Sequence, residues 1–133
     1  MKTIRRGFLW MAAAACLAAA GCAALIVGAG VGAGTFSYIQ GELVRPYAAR
    51  YADVLKTCNQ TLQDLGMPTN DQSSDGIQTV INSQRKDGTP VMVKVRIAAL
   101  DVTEVSVRTG QIGVWDRDFS QQFHGFIAER LRP

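Results

Sequence analysis

The sequence is short of the residues that carry most protein chemistry. Its 133 residues include one histidine, His124, and three cysteines, Cys16, Cys22 and Cys58, with no C-x-x-C pair. A zinc site, a dithiol redox motif or a histidine cluster has nothing to stand on, and neither metal nor cofactor is expected. A charge excess is missing too. Lys2, Arg5 and Arg6 supply three of the 14 basic residues, leaving 11 against 11 acidic residues in the rest of the chain. A neutral body has no basic patch to neutralise phosphates, which argues against nucleic acid as a partner. The length allows one small domain.

Charge is also absent from Phe8 to Gly34, 27 residues in a row. The basic residues before this run and the apolar stretch Phe8–Ala20 have the layout of a signal peptide. Ala19-Ala20-Gly21 then precede Cys22. Small residues before a cut fit a peptidase cleft, and the cysteine that follows can carry diacylglycerol and further acyl chains such as palmitate. Ala19-Ala20-Gly21-Cys22 resembles a bacterial lipobox, with Ala19 at the position where leucine is common and Leu17 two residues earlier. At about 0.8 kcal/mol per buried CH₂, two or three chains anchor a protein stably. This is the leading reading: signal peptide over 1–21, cleavage at Gly21–Cys22, lipidation of Cys22, and an apolar anchor segment over 22–35.

Two other readings compete for the same stretch. The 27 residues exceed the roughly 20 that span a bilayer, so an uncleaved helix with its basic end in the cytoplasm is the second. Gly28-Ala29-Gly30-Val31-Gly32-Ala33 fits a loose dinucleotide fingerprint, but no βαβ context follows it. Arg5-Arg6-Gly7-Phe8-Leu9 matches the core of a twin-arginine signal, and also an ordinary basic n-region. Gly28 and Gly32 are four apart, so on a helix they share one face and allow close self-association between anchors. A plain apolar spacer is the alternative.

Residues 36–133 read as the folded domain. Tyr38 to Tyr47 suggests a short strand stopped by Pro46. Tyr51, Val54, Leu55, Cys58, Leu62 and Leu65 recur at spacings of three and four, an amphipathic helix from about Ala49 to Leu65. Gly66 is placed for a left-handed cap, and Pro68 forbids continuation. Cys58 falls on the apolar stripe and reads as a buried thiol. Asn70 to Gly76 reads as a polar loop and Ile77 to Gln84 as a strand, with a hairpin at Lys86-Asp87-Gly88-Thr89. Val91, Val93, Val95 and Ile97 alternate with Met92, Lys94 and Arg96, and Val105 and Val107 with Glu104, Ser106 and Arg108. That is a meander with one wet face. Phe119, Phe123, Phe126, Ile127 and Leu131 form the stripe of a last helix, capped by Asp116 or Asp118. The fold class is α+β, strand-helix-three-strand meander-helix, with both helices on one sheet face.

No enzyme is visible. Asp116 and Asp118 are two apart at a helix start and serve capping, not paired-carboxylate catalysis. His124 has no second ligand near it, and Trp115 reads as a core edge before a ligand platform. The stretches "GCAAL…GAGVGAG", "YIQGEL", "LQDLGM", "DGTPVMVKVR" and "VTEVSVRTG" together resemble a family of short bacterial lipoproteins of uncharacterised function. That resemblance implies no catalytic residues. Its layout is similar to small periplasmic helix-and-sheet domains that help assemble envelope complexes.

The expected function is a lipid-anchored envelope module that binds a protein or the cell wall without catalysis. It is membrane-attached through Cys22 and, since Ala23 is not the aspartate that retains lipoproteins in the inner membrane of enterobacterial-type envelopes, faces the periplasm from the outer membrane. The alternative is a periplasmic carrier of an acyl chain or other amphiphile. A carrier needs a cavity lined by Leu62, Val93, Val95 and Phe123; a binding module needs those residues packed.

Overall fold

The computed structural model describes residues 36–132. The expectations for the signal peptide, the Gly21–Cys22 junction, the anchor segment and the Gly28/Gly32 pair lie outside the described residues.

Where the sequence suggests one strand from Tyr38 to Tyr47 there are two, β1 (Ser37–Ile39) and β2 (Glu42–Tyr47). Gln40 and Gly41 reverse the chain with φ of +51° and +84°. Positive φ at both central residues gives the two-residue turn whose twist suits paired strands. Pro46 does not stop β2 but lies within it. Ile39 pairs with Glu42 across the turn, so residues 42, 44 and 46 turn their backbone groups toward β1. β1 begins opposite Val44, and the N–H that Pro46 lacks would have faced an open edge.

α1 (Tyr51–Asp64) follows the expected stripe and buries Val54, Cys58 and Leu62. It ends as its sequence dictates. Gly66 has φ +69°; its N–H donates to the Gln63 carbonyl at 3.0 Å, and the Met67 N–H to the Leu62 carbonyl at 2.9 Å. This pair of bonds is the Schellman cap, and Met67 and Leu62 meet in the core as that motif favours.

Asn70 to Gly76 is not a loop: β3 (Thr69–Ser74) is a strand with every residue exposed. It pairs with β4 (Gln78–Gln84) at the sheet edge. Backbone pairing alone recruits it. Neither of its faces is covered, so no apolar alternation marks it in the sequence. Asp75 closes the turn between them by accepting the N–H groups of Ile77 and Gln78 at 2.9 and 2.8 Å. β5 (Pro90–Ala99) and β6 (Val102–Gln111) complete the expected meander, and the short β7 (Val114–Trp115) folds back on the end of β6.

The sheet is antiparallel throughout, in the order β1-β2-β6-β5-β4-β3, with β7 added to β6. α2 (Arg117–Arg130) returns across it, capped by Asp116, whose carboxylate accepts the Phe119 N–H at 2.9 Å. The fold is therefore α+β with both helices on one face of a seven-stranded sheet, a larger sheet than the sequence suggests. Leu43, Ile81, Val91, Val93, Val95, Val105 and Val107 point at the helices, which answer with Val54, Cys58, Leu62, Phe123 and Ile127.

One expected core residue is misplaced. Phe126 is 41% exposed, while His124 is fully buried. The buried face of α2 runs through Ser120, Phe123, His124 and Ile127. Residue 126 lies about 200° round the helix from 124. Among the described residues no helix is long and apolar enough to cross a membrane.

Candidate functional site

The alternation that fills one sheet face leaves the other bare. Glu42, Val44, Ser106, Arg108, Met92, Lys94, Val80 and Asn82 stand on it, in register across β2, β6, β5 and β4. Glu42 is its hub. Lys94 Nζ donates to Glu42 Oε1 at 2.6 Å, passing over Ser106, whose Oγ donates to Oε2 at 2.7 Å. Arg108 adds a second cation at 3.8 Å. Partial burial raises the Glu42 carboxyl, but the Lys94 and Ser106 hydrogen bonds and the two positive charges outweigh it and hold the pKa below the ordinary carboxylate value. The three charged side chains are partly exposed, so the ion pairs fix side-chain positions more than they add stability, each worth about 0–1 kcal/mol.

Trp115 walls the end of this face. The hairpin to β7 lays its indole over Gly41, where a Cβ would collide with the ring. Only glycine serves there, both for that contact and for the positive φ of the turn. The Arg108 guanidinium lies 5.5 Å from the Trp115 ring centroid, and its Nη2 is 3.5 Å from Met92 Sδ. Asn82, Pro90, Met92, Arg108, Ile112 and Trp115 line a shallow depression of about 490 Å³. It combines an aromatic ring, a thioether, a fixed cation and a side-chain amide, the mixture that recognises a polar chain with apolar patches.

His124, Tyr47 and Cys58 face the other way and are spent on the fold. His124 Nε2–H donates to the Leu43 carbonyl at 2.8 Å, because a carbonyl can only accept. Nδ1 is then the acceptor for the Tyr47 hydroxyl at 2.7 Å. Burial holds the imidazole neutral with its pKa down to about 4, and pushes the Tyr47 phenol up. Cys58 is fully buried, with its thiol pushed up to about 12 by burial. A native chain should therefore leave Cys58 unmodified by iodoacetamide at pH 8 until denaturant opens the fold. Alkylation as fast as that of a free thiol would contradict this packing.

The sequence candidates fall as follows. Asp116 caps α2 and binds Arg85 at 3.0 Å, Asp118 sits in the first helical turn, and the two form no acid–base pair. Trp115 is half-buried and is both a packing edge and a wall of the depression. Among the described residues no three His, Cys, Asp or Glu side chains could hold a metal. Leu62, Val93, Val95 and Phe123 are fully buried in one packed cluster, and none of them lines the depression. Sequence reasoning misses Glu42, Lys94, Arg108 and Met92 as a group. Three of them were legible as the wet half of an alternating pattern, but their meeting point depends on strand order.

Residues 7–130 match the family described as "Protein of unknown function (DUF3568)", and the chain belongs to that family. No curated protein matches it.

Proposed function

We propose that this is a lipid-anchored envelope protein of the short-lipoprotein type, held by acylated Cys22 and facing the periplasm from the outer membrane. Its domain is a non-catalytic module that binds a protein or cell-wall partner on the open sheet face. The observation that carries this reading is the asymmetry of the sheet. Two helices cover the centre of one face, and the other keeps an ordered Glu42–Lys94–Arg108 cluster beside the Trp115 depression. The packing of Leu62, Val93, Val95 and Phe123 favours this module over a carrier, which needs room between sheet and helices.

Two measurements test it. A fatty-acid probe fed to cells should label the wild type and not Cys22→Ser; equal labelling of both removes the anchor. A photo-cross-linking residue at Met92 should trap a partner in intact cells, while the same residue at Gln121 on the exposed side of α2 traps none. Equal trapping at both sites, or none at Met92, removes the open face as the working surface.

A further inference from the structure

Ile97, Ala98, Ala99 and Leu100 are four consecutive apolar residues at the tip of the β5–β6 hairpin, and all four are exposed, Leu100 by 92%. Ile77, 62% exposed, stands beside them, its carbonyl accepting the Ile97 N–H at 2.9 Å. Single exposed aliphatics are ordinary, but a continuous run with a fifth alongside leaves apolar area in water with no packing to offset it. Other exposed apolar side chains lie elsewhere: Phe36, Tyr38 and Ile39 on or beside the edge strand β1, Phe126 on α2, and Ile112 and Val114 past the opposite end of β6, where Ile112 borders the depression.

The place where the chain joins the domain says what covers the first patch. β1 begins at Ser37, level with Val44, and runs away from the end of the sheet that carries Ile77, Ile97 and Leu100. Thirteen residues separate Cys22 from Phe36, at most about 50 Å of extended chain. A tether that short holds the domain at high effective concentration against the membrane, so shallow contact is enough. The charges around the tip limit its depth. Asp101 is in the turn, Arg96 and Glu104 pair with each other at 2.7 Å, and the Asp75 carboxylate is turned onto its own backbone.

We infer that the Ile77–Ile97–Leu100 end is a bilayer-docking surface that enters the headgroup region of a phospholipid membrane. The inference rests on the anchoring of Cys22 proposed above. Docked this way, the strands stand upright on the bilayer, and the Trp115 depression is carried at the far end, open to a partner.

The test uses the full chain with Cys16→Ala, in vesicles of phosphatidylethanolamine and phosphatidylglycerol. An environment-sensitive fluorophore is attached at Leu100→Cys or, as the control, at Lys86→Cys on the opposite hairpin. Acylated Cys22 and buried Cys58 leave the added thiol as the one that reacts. Emission from position 100 should shift to the blue and be quenched by lipids with a shallow doxyl group, while position 86 does neither. A chain that floats with the vesicles but shows identical emission at both positions overturns the docking and leaves the anchor standing. A blue shift at 100 that doxyl lipid fails to quench assigns the patch to a second copy or another protein, and also overturns it. A chain that does not float, and takes up label at Cys22, overturns the anchor and the docking together.

Discussion

Phe123→Ala should remove about 3–5 kcal/mol of stability, the largest loss expected from any single truncation in this domain. Phe123 is the largest of the fully buried side chains and lies in the same cluster as Val54, Cys58, Leu62 and the valines of β5 and β6. Truncation loses the transfer free energy of the ring and leaves a cavity that a rigid sheet on one side cannot collapse to fill. Domains of this size have about 5–15 kcal/mol in hand, so the variant sits near the unfolding threshold. Urea denaturation of the chain beginning at residue 36 is the measurement, and that chain should unfold as a cooperative monomer. Phe126→Ala is the internal contrast: its ring is exposed and its loss should cost less than about 1 kcal/mol. If Phe123→Ala cost as little as Phe126→Ala, α2 would not pack as described.

Acid should destabilise the domain through His124. The unfolded imidazole titrates near the ordinary histidine value of about 6.5, while the folded one is held down to about 4. Burial is the main cause, the Arg45 charge adds to it, and the bond to the Leu43 carbonyl opposes it. Between those two values the unfolded chain binds a proton that the folded chain refuses, so stability rises with pH across that window. The contribution is fully present above about pH 6.5, falls as pH drops, and is exhausted below about pH 4, a total of roughly 3 kcal/mol. Protonation also puts a hydrogen on Nδ1, so the Tyr47 hydroxyl must turn from donating to that nitrogen to accepting from it, with its own hydrogen directed at the His124 carbonyl 3.1 Å away. Denaturation midpoints from pH 8 to pH 4 should fall steeply for the wild type and less steeply for His124→Gln, whose amide can still donate to Leu43 and accept from Tyr47. Surface carboxylates titrate alike in both chains, so the difference between the two curves isolates the histidine. Parallel curves would mean that His124 is already solvated in the fold.

Much of this architecture was legible in local pattern. α1 could be read from its stripe to its Gly66 cap because helix period and cap are properties of adjacent residues. The same holds for β5 and β6, whose alternation announced one dry face and one wet one, and for Cys58 as a buried thiol. The split of β1 from β2 was less legible. The turn uses Gln40 and Gly41 rather than the usual Asn-Gly, and only the pairing of Ile39 with Glu42 imposes positive φ on a glutamine. On α2, a histidine and a phenylalanine two apart offered two possible buried faces. The composition favoured Phe126; the Tyr47 hydroxyl and the Leu43 carbonyl, 77 and 81 residues away, chose His124.

Neighbours along the chain suffice for the two helices, the meander and the neutral charge balance of the domain. Tertiary structure alone decided the rest. Polar β3 became a strand because β4 had a free edge to offer it. Glu42 met Lys94, 52 residues on, because β6 runs between β2 and β5 and its small Ser106 lets the two side chains join across it. Ile97 continues the alternation of Val91, Val93 and Val95, yet it and the apolar residues that follow are exposed, because the hairpin carries them past the helices. In each case the deciding partner is distant in sequence, and periodicity records which face a residue takes but not which residue it meets there.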